Sequence, residues 1–449
     1  MGVTSMRGFA KVVVVEEHTH GMHDPLQSGL HALGLEGVST CLQDSQDMMG
    51  NGQKPDAVMI RLPEAKGQIT HQQAIFAPYL ELARALKSTP STEQIPVIIV
   101  GSDRAIAQCE QVRHRIDDLL PLYDLEVRLP ERLRAALRLK TLSEEYTRRH
   151  LSLREFGCEL DITTRATLSP FRFLIAQSDD QYCPLTTHKM DWDHANVHVK
   201  VCTIADMDQS IIEYEPDALF VHVSQYVELA GSKLRTICAI RDYATLPIVL
   251  LHPEGKAYSV FGSKPLPAGI ELASENLAPN ALIELVLARS KEHRLRRWLS
   301  TDIRTLSHPS VIDHATDLFT SAFFSRHLGR VIAQTERHNG CLTMAMIALP
   351  ELPQSECVHI LKQVGQIVKN QTRAEDILAH LGQGIVCIVF LGTVSLDAVS
   401  ALSRIEKILN ALIEPIKMWP ETKVTASIIE HDKNEKVLSF ISRAQAVLV

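Results

Sequence analysis

No CxxC pair and no other metal-ligand spacing occurs anywhere in the chain, although it carries nine cysteines. Scattered thiols of that kind read as small buried hydrophobes in a reducing compartment rather than as a zinc site or a disulfide framework. No stretch approaches the roughly 18 consecutive apolar residues that a membrane-spanning helix needs, and the apolar run near the start, Val12 to Val15, ends at Glu16 and Glu17. We therefore expect a cytoplasmic protein without membrane insertion. A basic excess is missing too: the formal net charge is −7, which excludes a general binder of nucleic acid polymers or anionic membranes.

What is present is a soluble globular composition, 45% hydrophobic and 22% charged over 449 residues. At roughly 150 residues per domain this length suggests about three domains. Continuous apolar runs recur at wide intervals: Val12–Val15, Ala57–Ile60, Val97–Val100, Phe173–Ala176, Ala218–Val221 and Ile248–Leu251. Such runs, spaced widely enough for intervening helices, predict parallel strands buried on both faces. The segments KPDAVMIR (Lys54 to Arg61) and EPDALFVH (Glu215 to His222) are near copies, each followed by a second related strand, QIPVIIVGS or TLPIVLLHP. A repeat of about 160 residues means two tandem copies of one domain and not a solenoid.

Each copy ends in a long amphipathic segment. One follows Pro130, a residue suited to a first helical turn, and keeps Leu133, Leu137 and Leu142 near one face; the other does the same with Leu282, Val286 and Leu295. Two readings are open, a stiff connector that supplies a dimer seam and a cover for the domain's own sheet. From about residue 305 the pattern becomes helix (from Thr316), strand, helix (from Ser355), hairpin, helix (from Leu396), strand, an α+β order with a mainly antiparallel sheet. The division is thus 1–150, 165–300 and 305–449.

The repeated strands resemble the receiver domains of bacterial response regulators, over roughly residues 10–130 and 170–290. The resemblance implies a flavodoxin-like parallel sheet, an acidic pair that holds Mg²⁺ and a phosphoacceptor Asp. Glu16 and Glu17 stand at the acidic pair of the first copy, but Arg61 replaces the Asp, Gly101 falls at the hydroxyl position and Leu122 near the Lys position. In the second copy Gln177 and Ser178 follow the first strand, His222 replaces the Asp, His252 and Asn276 stand near the remaining positions, and Asp179 and Asp180 come two places late. Neither copy is expected to accept phosphate. Arg61, whose charge is permanent, could replace Mg²⁺ by pairing with Glu16 or Glu17 and lock the pocket, or lie exposed at a strand end. His18, His20 and His23 match no common zinc spacing and read as loop residues.

The third segment is similar to a GGDEF domain, the fold of diguanylate cyclases. DHATDLFTSAFF (Asp313 to Phe324) matches the opening motif at Asp313, Thr316, Leu318 and Phe324, with Asp317, Thr320 and Ser321 departing from it. The resemblance implies two metal-binding carboxylates for turnover of GTP, and Ala348 stands at one position while Gly384 and Ile385 replace the signature acids. The segment that should bind the base is shortened to PELPQSE. We therefore expect no catalysis and no cofactor. The family's RxxD site for cyclic di-GMP, five residues before the signature, falls on Arg373 and Asp376, and its second arginine on Arg404. Arginine offers a donor fork to guanine or phosphate and aspartate accepts from the guanine N1 and N2 hydrogens, whereas an isolated Arg/Asp pair of this spacing is a solvated ion pair. His380 departs from a frequent family arginine.

The order of the three segments resembles the PleD/PopA-like response regulators. That resemblance implies a non-catalytic cyclic di-GMP effector that recruits a protease adaptor or polar complex in cell-cycle control, at a cell pole. The alternative is a nucleotide-independent scaffold or dimerisation protein of a two-component pathway, and a homodimer remains open in either case.

Overall fold

A computed structural model describes residues 10–17, 24–33, 35–45, 55–64, 69–90, 92–107, 109, 116–122, 125–158, 170–178, 185, 196–223, 227–252, 269–274, 279–306, 308–337, 340–351, 357–415 and 423–448. His18, His20, His23, Asp179, Asp180 and Asn276 lie outside them.

The first unit is a five-stranded parallel sheet of β1 (Lys11–Val15), β2 (Glu36–Thr40), β3 (Ala57–Arg61), β4 (Val97–Gly101) and β5 (Asp118–Pro121), in the order β2-β1-β3-β4-β5. Its helices include α1 (Pro25–Ala32), α2 (Ile69–Ser88) and α3 (Asp103–Ala107). The second unit repeats the design with β6 (Phe171–Gln177), β7 (Val197–Thr203), β8 (Ala218–His222), β9 (Ile248–His252) and β10 (Ile270–Ser274), ordered β10-β9-β8-β6-β7. Both are the flavodoxin-like doubly wound order read from opposite edges. The six runs singled out in the sequence are the three central strands of each sheet, and Val12–Val15, Val58–Ile60 and Val97–Val100 are almost wholly buried.

The repeated Pro-Asp-Ala has a structural cause. Asp56 accepts the Lys11 backbone N–H at 2.9 Å, and Asp217 accepts that of Arg172 at the same distance, so each carboxylate starts the neighbouring strand. Each is then paired with a base from the long helix of its own unit, Lys140 at 2.5 Å for Asp56, and Arg294 with Arg297 for Asp217.

Those long helices are α4 (Leu125–Glu155) and α7 (Pro279–Thr305), between which come α5 (Met207–Tyr214) and α6 (Val227–Ala239). Pro130 is the sixth residue of α4 rather than part of its first turn. Within α4 the sheet-cover reading is met, and the helix also runs on beyond its own sheet into the third unit. Leu129, Leu133 and Leu137 close the first sheet over Val12, Met59 and Ile98. Farther along, Leu142, Tyr146 and Leu153 enter one core with Leu299 and Ile303 of α7 and with the third unit. The two helices touch through Tyr146 and Trp298, ring centroids 5.3 Å apart, and Arg296 donates to the Ala135 carbonyl. Leu295, placed on the apolar face by spacing, is exposed, whereas Trp298 and Leu299 on the following turn pack into the shared core.

The third unit is β11 (Phe319–Thr320), α8 (Ser321–Arg337), β12 (Leu342–Ala348), α9 (Cys357–Gln371), β13 (Ile377–Gly382), β14 (Ile385–Leu391), α10 (Ser395–Ile413), β15 (Thr425–Glu430) and α11 (Val437–Ala446). Its sheet order is β11-β13-β14-β12-β15, antiparallel except for β11 on β13. The helix expected from Thr316 begins five residues later. Asp313 accepts from both the N–H and the hydroxyl of Thr316, at 3.0 and 2.7 Å, and Asp317 takes a left-handed φ of 58°, which closes a turn instead. The final helix α11 and the short β11 were not evident from the pattern.

Candidate functional site

The hairpin of β13 and β14 turns through Gly382, Gln383 and Gly384, all at positive φ. At its shoulder, between α9 and β13, sits the turn Arg373 to Asp376. The Asp376 carboxylate accepts the Arg373 N–H at 2.7 Å, so the three-residue spacing is a side-chain-capped turn. Arg373 extends toward Thr393, its Nη1 3.3 Å from Oγ1, just before α10. Arg404, two turns into α10, donates to the side-chain and backbone oxygens of Gln371 at 2.7 and 3.1 Å.

Arg373, Asp376 and Arg404 line one cleft of about 560 Å³. Its opposite wall is α4, which contributes Arg134, Arg138, Lys140 and Arg148, with Asp56 of the first unit at its edge. The volume falls within the range of small-molecule sites. Arg138 approaches Glu375 at 3.9 Å across the cleft. Burial pushes the Asp397 carboxyl up, while Arg373 from one wall and Arg134 from the other pull it down. The family resemblance pointed to the three residues on the third unit and could not point to the α4 wall, which lies more than 200 residues away in the chain.

Beneath the cleft α4 and α8 share a buried polar network. Glu145 is fully buried and accepts from Arg149 Nε at 2.7 Å, Arg148 Nε at 3.1 Å and, with a proton on that ring nitrogen, His327 Nε2 at 2.9 Å. The Ser152 hydroxyl lies 2.8 Å from the other nitrogen of His327. Burial alone would raise the Glu145 carboxyl; His327, Arg149 and Arg148 outweigh it and hold it well below the usual range. Arg149 Nη2 donates to the Asp376 carbonyl at 2.8 Å, and Nη1 faces the Ile303 carbonyl at 3.3 Å.

In the first unit Arg61 Nη1 lies 2.6 Å from Asp24 and 3.8 Å from Glu16, whose side chain is 2% exposed. Of the open readings, Arg61 pairs rather than lying exposed, Glu17 is exposed, and Asp24 is a nearer partner than Glu16 that spacing did not indicate. In the second unit His222 is buried at the end of β8, beside Gln177 in register. In the third unit Ala348 and Ile385 pair directly in the β12–β14 ladder. Among the described residues no group of three or more His, Cys, Asp or Glu is placed to hold a metal ion, and no helix is long and apolar enough to cross a membrane.

No family model matches the chain, and no curated protein matches it. Among solved structures it is similar to the GGDEF domain of DgcB from Caulobacter crescentus in complex with c-di-GMP, at 15% identity over 32% of this chain and 88% of that one, TM-score 0.28. It is similar to the FimX GGDEF domain from Pseudomonas aeruginosa at 20% identity, covering 31% and 91%, TM-score 0.27. The diguanylate cyclase SiaD from Pseudomonas aeruginosa, in complex with its activator SiaC, matches at 16% identity, covering 38% and 67%, TM-score 0.28.

Proposed function

We propose that this chain is a non-catalytic receptor for cyclic di-GMP, in which two receiver-like units and a degenerate GGDEF-like unit form a platform for a protein partner. The observation that carries this reading is convergence. Arg373, Asp376 and Arg404 come from a turn and a separate helix, yet they line one cleft that faces a second row of cations on α4. A ligand with two guanines and two phosphates suits such a site, because guanidinium forks bind phosphate or guanine edges and a carboxylate accepts from guanine. Bound there, it would fix the third unit against the first.

The absence of catalysis rests on the register of the β12–β14 ladder. Ala348 and Ile385, at the positions where the resemblance calls for metal-binding carboxylates, stand opposite each other and offer no oxygen donor from their side chains. Phosphoryl transfer from a nucleoside triphosphate needs that metal. The Mg²⁺ site of the first receiver-like unit is likewise unsuited, since Arg61 already supplies a permanent cation to Asp24 and Glu16. A partner of the kind suggested by the architecture, a protease adaptor or polar complex, would read the geometry of the three units.

One observation favours the alternative of a nucleotide-independent scaffold. Asp376 is only 2% exposed, with one oxygen engaged in its own turn, and Arg404 is held by Gln371. The test is calorimetric titration of cyclic di-GMP into the full chain and an Arg373→Ala variant, with GTP as control ligand and product analysis after incubation with GTP. Micromolar or tighter binding by the full chain, lost in the variant and without product, supports the receptor. Absence of binding in both leaves the scaffold.

A further inference from the structure

We propose that Arg149 is a positioning residue that ties the Arg373–Asp376 turn to both long helices, so that the state of the cleft and the packing of α4 on α7 change together. This deepens the nucleotide reading of the cleft and rests on it only for the identity of the ligand.

Arg149 lies on α4 and is almost completely buried. One edge of its guanidinium, Nε, is fixed by Glu145 at 2.7 Å. Its two terminal nitrogens then diverge. Nη2 donates to the Asp376 carbonyl at 2.8 Å, with the Glu375 carbonyl at 3.5 Å, and Nη1 reaches the Ile303 carbonyl at 3.3 Å. Ile303 belongs to the last turn of α7, where carbonyls have no partner within the helix, so Arg149 serves as its cap. Phe319 of β11 lies under the guanidinium, 5.4 Å from it. Three elements distant in sequence therefore meet on one rigid planar group.

The consequence is mechanical. Glu145 is itself anchored to α8 through His327, so Arg149 cannot follow a displaced turn without moving against a buried carboxylate. A ligand that reorients the Asp376 side chain and shifts the same residue's carbonyl acts on α4 and α7 through the two Nη groups. Lysine keeps the charge opposite Glu145 but, being a compact ammonium, cannot serve all these acceptors at once.

The test compares the full chain with Arg149→Lys by hydrogen exchange, without and with cyclic di-GMP, after checking that both melt cooperatively. Without ligand, Arg149→Lys is expected to speed exchange jointly in residues 373–377 and 299–306, the two segments whose carbonyls meet on its guanidinium above their shared apolar core. With ligand, the wild type is expected to gain protection in 140–155 and 299–306, and Arg149→Lys to bind about tenfold more weakly, within the usual range of coupling between sites, with that distant protection lost. Arg404→Ala, at saturating ligand, should retain the distant protection. Unchanged exchange in both segments of Arg149→Lys, or distant protection equal to wild type, would overturn the proposal. If the wild type binds no nucleotide, the receptor reading fails separately, and the ligand-free exchange alone decides the role of Arg149.

Discussion

At the scale of single residues, two positions show how closely side-chain size and charge are specified. A Cβ on Gly365, in the middle of α9, would lie 1.8 Å from the Thr316 carbonyl oxygen, which is backbone and fixed by the Asp313 turn. Gly365→Ala should therefore cost about 2–3 kcal/mol, the upper part of the overpacking range, despite the better helix propensity of alanine. Urea unfolding checks it, and an unchanged midpoint would mean that the turn moves freely. Arg61→Ala leaves Asp24 and the buried Glu16 without their cation. The expected loss is about 2 kcal/mol, below the value for a fully enclosed pair because Arg61 is 17% exposed. The Arg373/Asp376 pair was visible in the sequence because the resemblance to the GGDEF family places an RxxD five residues before the hairpin signature; the spacing alone is also that of a solvated ion pair. Arg149 was not, since its acceptor on Asp376 is 227 residues away and nothing in EEYTRRH distinguishes a buried fork from a solvated helix face.

At the scale of elements, the strands of the first two units that were legible in the sequence were those at the centre of each sheet, buried on both faces. β2 and β5, with sequences EGVST and DLLP, are the edges of their sheet and mix polar with apolar residues, so no continuous run announced them. α7 carries a titration that the element must tolerate. Burial, reinforced by Arg297, pushes the His293 imidazole down to about 3, and it is neutral against the Thr245 hydroxyl at 3.0 Å. The unfolded chain, with a value near 6.5, takes up this proton first as pH falls. Stability contributed by neutral His293 is thus complete above about pH 6.5 and is lost progressively down to about pH 3. Urea midpoints should fall between pH 7.5 and 5, and His293→Gln should flatten that decline. An identical slope in the variant would place the proton uptake elsewhere.

At the scale of the whole molecule, the long helices of the first two segments reach into the core of the third. The sheets fall within 1–150, 165–300 and 305–449, but α4 ends at Glu155, α7 ends at Thr305, and both finish inside the core of the third unit. Spacing offered sheet cover and connector as alternatives because it reports which face of a helix is apolar and not what covers it. A truncated chain beginning at His308 should consequently uncover Phe323 of α8, whose ring meets Phe156 just after α4 at 5.4 Å, at a cost of about 1.5–3 kcal/mol if the side chain becomes fully exposed. Dye binding to exposed apolar surface and a lowered melting temperature are expected. A truncated chain as stable as the full protein would show that the helices contribute nothing to that core.

The same shared packing places the α4 arginines across from Arg373 and Arg404, so the central claim is that one nucleotide is held between two units. The most direct measurement is calorimetric titration of cyclic di-GMP into the full chain and into an Arg134→Ala/Arg138→Ala variant altered only on the α4 wall. Binding by the full chain is expected, with a Kd at least about tenfold weaker in the variant, in keeping with loss of one or more charge-assisted hydrogen bonds. Equal affinity in the two, or no binding by the full chain, would contradict it.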